Sequence, residues 1–385
     1  MEDVRMSIIT LQEDIDFLKK YTDTMILEAA DASGKVVVAP GIQARVLTSG
    51  FSGDGQSFGW INRELITSGE RREQINAFGG EDRYWLGPEG GQFSIFFKPG
   101  APMDIEHWQT PEPFDWGGWD TIEYAKDRAA FRKLFEVTNS AGTVFSAEAE
   151  RTVQVIGAGQ AARELGVVVD GLNCVAFHTT NFLTNTGTNV WNKAGGMLSI
   201  WILGMLNASP GTIALLPFNT GDEAELGPII NDAYFGKVPD DRLKLLNGVA
   251  LFKCDGKHRS KIGLAPHRSK ALLGSYAADR NSLSVVLCTQ PADELDYVNS
   301  MWEIQEEPFR GDVLNSYNDG PTPGGGAQLG SFYELETSSP AVEAAPGETA
   351  GHTHRTYHFE GEKGKLNNLA EKLFGVSLQQ IEAAF

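Results

Sequence analysis

Glu334 and Glu336 stand two apart in a β-rich run, so both project from one face of the same strand. A second run follows, in which His352, His354, Thr356 and His358 share a face and Thr353, Arg355, Tyr357 and Phe359 take the other. Carboxylates and imidazoles so close in sequence can do general acid–base work, with one group taking a proton as another gives one. They can also ligate a metal. His352 and His354 with Glu334 or Glu336 make a possible three-ligand set, although no metal or other cofactor is expected here. The alternative is a solvated sheet face. Pro340, Pro346 and Gly347 lie between the two runs and allow the chain to reverse.

Further groups suit a polar, ring-shaped guest, for which flat apolar faces and planar hydrogen-bonding side chains are needed. Trp85, Trp108, Trp116 and Trp119 are clustered with Glu81, Asp82, Arg83, Glu106 and His107. Asn62-Arg63 offers a rigid guanidinium fork. Asn231, Asp232, Tyr234 and Lys237 lie in one loop-like stretch, and Arg259 and Lys261 lie two apart and could form a basic face for an anionic sugar such as a uronate. Trp302 adds a stacking face, and Asn318 ends a segment that closes in the turn signal Asn318-Asp319-Gly320.

The elements that must position these residues are mostly strands. Thr10 and Glu13 fit a capping box, and Leu11, Ile15 and Leu18 recur at helical spacing, which predicts a helix over about 10–20. Strands are then predicted from 35 onwards, including Ala44–Leu47, Phe93–Phe97, Val144–Val155, Val167–Asp170 and Val175–Asn185. In Val144–Val155 the residues Phe145, Ala147, Ala149, Val153 and Val155 face one way, interrupted by Arg151. Two short helices are predicted at about 365–385, broken at Gly375, with Ser377 as an N-cap. Many strands with helix only at the two ends predict an all-β sandwich and one domain over 1–385. The run from Gly320 to Gly326 reads as a loop at the mouth of a cleft or as a plain connector.

The chain has 385 residues, 41% hydrophobic and 22% charged, ordinary for a globular protein with a sizeable core. Its net charge of -19 predicts no affinity for nucleic acid or anionic membranes. Cys174, Cys254 and Cys288 are odd in number and far apart, which predicts free thiols. No run of apolar residues is long enough for a membrane span, and no basic and apolar leader opens the sequence, so a cytoplasmic protein is expected, or a periplasmic one if a leader has been removed.

Several motifs carry a resemblance. Leu335-Glu336-Thr337, Pro340-Ala341, Pro346-Gly347-Glu348 and Tyr357-His358-Phe359 resemble the C-terminal region of the galactose mutarotase-like superfamily. Trp60-Ile61-Asn62-Arg63 followed by Phe78-Gly79-Gly80 is similar to that superfamily's N-R and H-G-G segments. The runs SFGWINREL, FGGEDRYWLGPEGGQFSIFF, GPIINDAYFGKVP and NSYNDG look closer still to a bacterial family with this fold and no assigned reaction. The resemblance implies a supersandwich of large antiparallel sheets, a sugar ligand and Glu336 as the base. It also implies two histidines that bind and protonate the ring oxygen. This chain has Phe78 at the first position and none after Thr184-Asn185 at the second. His107, His178, His352 or His354 would have to replace them.

Three functions follow as expectations. The first is an epimerase-like sugar enzyme with Glu336 as general base, assisted by Glu334 and His107. The second is a carbohydrate-binding module that kept the cleft and lost the acids. The third is a glycoside-cleaving enzyme using paired carboxylates. All three take a small sugar or oligosaccharide as partner. Arg63, Asp82, Trp85, Glu334 and Glu336 are expected on one concave surface.

Overall fold

The computed structural model describes residues 8–321 and 328–385, so most of the Gly320–Gly326 run lies outside the described residues. Among the described residues three antiparallel sheets account for the strands. The smallest joins β1 (Met25–Glu28), β2 (Lys35–Ala39) and β3 (Arg45–Gly50). A five-stranded sheet runs in the order β13 (Ser260–Leu264), β16 (Leu314–Asn318), β17 (Phe332–Ser338), β9 (Ser199–Asn207) and β4 (Arg83–Gly87). The largest has ten strands. One half is β11 (Leu243–Leu246), β12 (Val249–Lys253), β10 (Thr212–Pro217), β14 (Leu272–Ala277) and β15 (Ser282–Cys288). It continues through β18 (Thr349–Gly361), β8 (Leu172–Asn185), β7 (Val144–Ile156), β6 (Arg128–Thr138) and β5 (Asp120–Tyr124).

The two-residue period builds this architecture. In β7 the residues Phe145, Ala147, Ala149, Arg151, Val153 and Val155 are all buried, and Arg151 keeps the period rather than breaking it. The five- and ten-stranded sheets pack face to face over one large apolar core that includes Phe131, Phe177, Tyr84, Leu86, Leu335 and Tyr333. On its other face the ten-stranded sheet buries Leu283 and Val285 of β15 and Tyr357 and Phe359 of β18 against helices.

Those helices include α6 (Lys363–Phe374) and α7 (Leu378–Glu382), the latter capped by Ser377 as predicted. The N-terminal α1 (Leu11–Tyr21) starts at the Thr10–Glu13 capping box and packs Leu11, Ile15 and Leu18 on the three-stranded sheet. Helix is not confined to the ends. Within the chain lie α2 (Arg63–Ser68), α3 (Glu112–Asp115), α4 (Ala158–Leu165) and α5 (Glu223–Leu226). Gly157 and the left-handed Gly166 bracket α4, whose Ala161 and Leu165 cover the ten-stranded sheet. The predicted strands at Phe93–Phe97 and Val167–Asp170 do not form, whereas β5 and β6 do. The first run is mostly buried by tertiary packing without a strand partner, which periodicity alone does not distinguish, whereas in Val167–Asp170 only Val169 is buried and Val168 is 77% exposed. Among the described residues no helix is long and apolar enough to cross a membrane.

Candidate functional site

Alternation along β17 sends its side chains to two different layers. Thr337 faces the ten-stranded sheet, where its hydroxyl lies 2.8 Å from Nε2 of His352 and 3.0 Å from Nδ1 of His354. Glu334 and Glu336 therefore face the other way, onto the outer face of the five-stranded sheet. Cross-strand register adds Lys261, Asn315, Tyr317, Trp201, Arg83 and Trp85 to that same face.

Glu336 lies at its centre and is fully buried. Lys261 Nζ donates to its Oε2 at 2.8 Å and Trp201 Nε1 donates to the same oxygen at 2.9 Å. Its Oε1 is buried with no hydrogen-bond partner among the described residues. The Lys261 ammonium lies 4.8 Å from the Trp201 ring centre and 5.1 Å from that of Tyr234, favourable for cation–π attraction. Burial works against its charge, but Glu336 and Glu89 outweigh that and hold its pKa above the ordinary value. Glu334 is bound by Arg83, whose guanidinium also lies over Trp85. Burial raises the Glu334 pKa against the pull of Arg83. The two glutamates share a face as predicted, yet each has its own cation.

Other segments close over this face. Asp312 accepts from Tyr234 Oη at 2.8 Å and from Asn231 Nδ2 at 3.0 Å. Asn231 also forms a two-way backbone bridge with Gly263. The stretch 227–238 is thereby tied down over the site, with Phe235 and Lys237 on its exposed side. A chain of rings runs from Trp302 through Trp108, Phe96 and Trp85 to Trp201. Between these covers lies a cavity of about 10 Å³ lined by Ser199, Trp201, Tyr234, Lys261, Asp312 and Asn315 among others. That is the scale of one water.

The structure distributes the predicted residues unevenly. Glu334, Glu336, Arg83, Trp85, Trp108, Trp302, Asn231 and Tyr234 belong to the outer face or its covers. Asp232 is half-buried in the same loop as the exposed Lys237. Asp82 points to the opposite layer, where it binds Arg151 and accepts from Thr179 at 2.8 Å. His352 and His354 are in that layer too, so they do not join Glu334 or Glu336. Among the described residues no group of three potential ligands is placed to hold a metal. His107 is exposed and pairs with Asp104 at 2.6 Å. Asn62 caps α2, accepting from Leu65 N at 3.0 Å. Arg63 leaves the face altogether. It pairs with Asp14 at 2.6 Å, lies 4.6 Å from the Phe17 ring centre and lines an open groove along α1. Asn318 is buried and structural, holding Gly256 N and His258 O, each at 2.8 Å.

Sequence reasoning missed Glu89 and Asp312, took Asn315 only as the start of the segment Asn315–Gly320, and read Lys261 only as part of a basic face. The acid between glycines in Gly87-Pro88-Glu89-Gly90-Gly91 was a usable signal, since such a loop lets a backbone approach closely. Asp312 gave none. A Ser284–His358–Glu81 array also exists, with contacts of 2.7 and 3.0 Å to the imidazole. It is buried between the sheets against Phe58, so no substrate reaches its serine.

The fold is shared with solved structures. An Escherichia coli K12 protein, provisionally described as an aldose 1-epimerase, aligns with a TM-score of 0.52 and 12% identity over 87% of this chain and 99% of that one. The Slr1438 protein from Synechocystis sp. PCC 6803 aligns with a TM-score of 0.52 and 12% identity over 88% and 96%. No curated protein matches the sequence. The fold is galactose mutarotase-like, an all-β arrangement of large antiparallel sheets. The family model that matches residues 9–385 is described as a family of unknown function, DUF6786, and this chain belongs to it.

Proposed function

We propose that this protein recognises a sugar on the outer face of the five-stranded sheet and uses Glu336 as the proton acceptor in an epimerase-like reaction. The observation that carries this reading is the asymmetry of the Glu336 carboxylate. One oxygen is fixed by Lys261 and Trp201, and the other is buried without a partner among the described residues. A carboxylate held by one oxygen aims the other, as a general base requires. Opening a sugar ring also needs charge stabilised at the ring oxygen. Lys261 has three N–H donors and commits one to Glu336. Held in its charged form, it serves as a hydrogen-bond donor there in place of the mutarotase histidines. A pyranose is larger than the present cavity, so entry requires the stretch 227–238 to move. The partner is a small sugar or oligosaccharide, and the acidic chain disfavours nucleic acid.

A second reading, binding without turnover, is favoured by the absence of histidine at both mutarotase positions. NMR exchange measurements of anomer interconversion across a sugar panel separate the two. Under the first reading the protein accelerates exchange and Glu336→Gln lowers the rate at least about 100-fold while saturation-transfer signals from the sugar persist. Full activity in that variant removes Glu336 from the mechanism. Binding without any acceleration by the wild type selects the second reading.

A further inference from the structure

The small cavity shares two walls with the Glu336 carboxylate, because Lys261 and Trp201 line the one and donate to the other. Ser199 precedes Trp201 by two residues on β9, so it faces the same way, and its register partner on β4 is Gly87. Its Oγ is fully buried, lines the cavity and has no hydrogen-bond partner among the described residues. Buried hydroxyls are normally satisfied, so an orphan in a cavity wall marks a place for a polar group. Gly87 keeps that place open. A Cβ there would lie 3.2 Å from Ser199 Oγ and 2.9 Å from Cγ2 of Val298.

Asp312 and Lys261 supply complementary chemistry in the same wall. Asp312 takes Tyr234, Asn231 and Asn315 all on its Oδ2, which leaves Oδ1 to accept from another donor. Gly263 makes room for this carboxylate, since a Cβ at that position would lie 2.1 Å from Asp312 Oδ2. Lys261 commits one of its three N–H groups to Glu336 and has others to give. The wall thus holds an anionic acceptor, a cationic donor and a hydroxyl that serves as either, around a volume of about 10 Å³.

We infer that this cavity is the subsite for one unsubstituted hydroxyl group of the sugar, which donates to Asp312, accepts from Lys261 and pairs with Ser199. This rests on the reading of the outer face as a sugar site. An ammonium group would meet the Lys261 ammonium there, and a carboxylate would meet Asp312. A neutral hydroxyl suits both, because it donates and accepts at once. The uronate expected from Arg259 and Lys261 therefore does not seat its carboxylate here, and those two cations already pair with Asp319 and Glu336. An O-methyl or acetamido group exceeds a volume of one water. A sugar without the hydroxyl leaves Ser199 and Asp312 desolvated and unpaired, which is how a polar site rejects a deoxy analogue.

The test is titration calorimetry with glucose, galactose and the full set of their monodeoxy and mono-O-methyl derivatives, on wild type and Ser199→Ala. The expected result is that removing one particular hydroxyl weakens binding at least about tenfold, and that O-methylation at the same position weakens it further. Ser199→Ala removes a hydroxyl with no partner of its own, so the fold is kept, and it should cut the deoxy penalty to within about threefold. If every monodeoxy sugar binds like its parent, the cavity serves a water only, this inference fails and the sugar reading stands. If the penalty is unchanged in Ser199→Ala, the hydroxyl is held elsewhere and the assignment of this cavity fails. If neither parent sugar nor any derivative binds, the sugar reading fails and this inference with it.

Discussion

Two buried polar layers lie on opposite faces of the five-stranded sheet, and neighbouring residues feed both. Asp82 and Arg83 diverge at the start of β4, as Glu336 and Thr337 do on β17. The inner layer, between the sheets, pairs its carboxylates Asp82 and Glu81 with Arg151 and His358, although Arg151 Nε and Nη1, Asn181 Oδ1 and Thr356 Oγ1 are buried without partners among the described residues. Asp82 has Arg151 and Thr179, and the Thr337 hydroxyl bridges two imidazoles. Burial pushes the pKa of His352 down to about 3 and that of His354 to about 4, so both rings are neutral. The outer layer differs in the balance of its carboxylates and cations. Among the described residues it has carboxylates without cations and an oxygen of Glu336 without a donor. Equal burial thus has two outcomes: one layer fixes how the sheets pack, and the other leaves the groups on which the proposed sugar site rests.

The largest effect expected from breaking this contrast is on Arg151. Its guanidinium is fully buried, and Arg151→Met leaves Asp82 uncompensated between the sheets. A loss of about 3–5 kcal/mol is expected, the usual result of removing one partner of a buried pair. Arg83→Met makes the same chemical change on the outer face, where the Glu334 pKa is already raised and a proton replaces the lost cation. A smaller loss is expected there. Urea unfolding of both variants checks the order, and equal losses would erase the distinction between the layers.

The layers should also respond to pH in opposite directions. His352 and His354 have folded pKa values below the ordinary 6.5. Their contribution to stability is complete above about 6.5 and is lost as pH falls towards 4 and 3. Glu334 and Glu89 have folded values above the ordinary 4.5. Their contribution is complete below about 4.5 and is lost as pH rises towards 7. Replacing both histidines by glutamine should flatten the acid side of the stability profile. Glu89→Gln should instead raise stability at pH 7.5 relative to pH 5. Urea midpoints across that range test both signs.

The sheets were legible because burial on one face writes a two-residue period into β7 and β18. The shared face of Glu334 and Glu336 was legible from their spacing of two. The failures arose where the answer depends on which face of a strand meets which neighbour. Grouping His352 with His354 was correct, but the sequence of β18 does not say which side of β17 it packs against. Thr337, not Glu336, turned out to meet them. Lys261 resembles a solvated hairpin residue because its partner lies far along the chain, and only sheet assembly buries the pair. Arg63 kept its motif but was drawn to Asp14 on α1, a contact that no local pattern announces.

The smallest expected effect concerns the cover of the outer layer. Tyr234→Phe removes the 2.8 Å hydrogen bond to Asp312 and leaves the shape of the ring. Asp312 keeps Asn231 at 3.0 Å and Asn315 at 3.4 Å, so a loss of about 1 kcal/mol is expected. The effect should be local, because the stretch 227–238 is held to the site by this bond and by the Asn231–Gly263 bridge. Amide hydrogens of Asn231 and Gly263 should exchange about fivefold faster, while those of β7 and β8 keep their wild-type rates. If the cover limits entry, sugar association should also speed up without a matching change in the inner layer. Unchanged exchange at Asn231 and Gly263, or faster exchange throughout both sheets, would show that Tyr234 does not hold a separable cover.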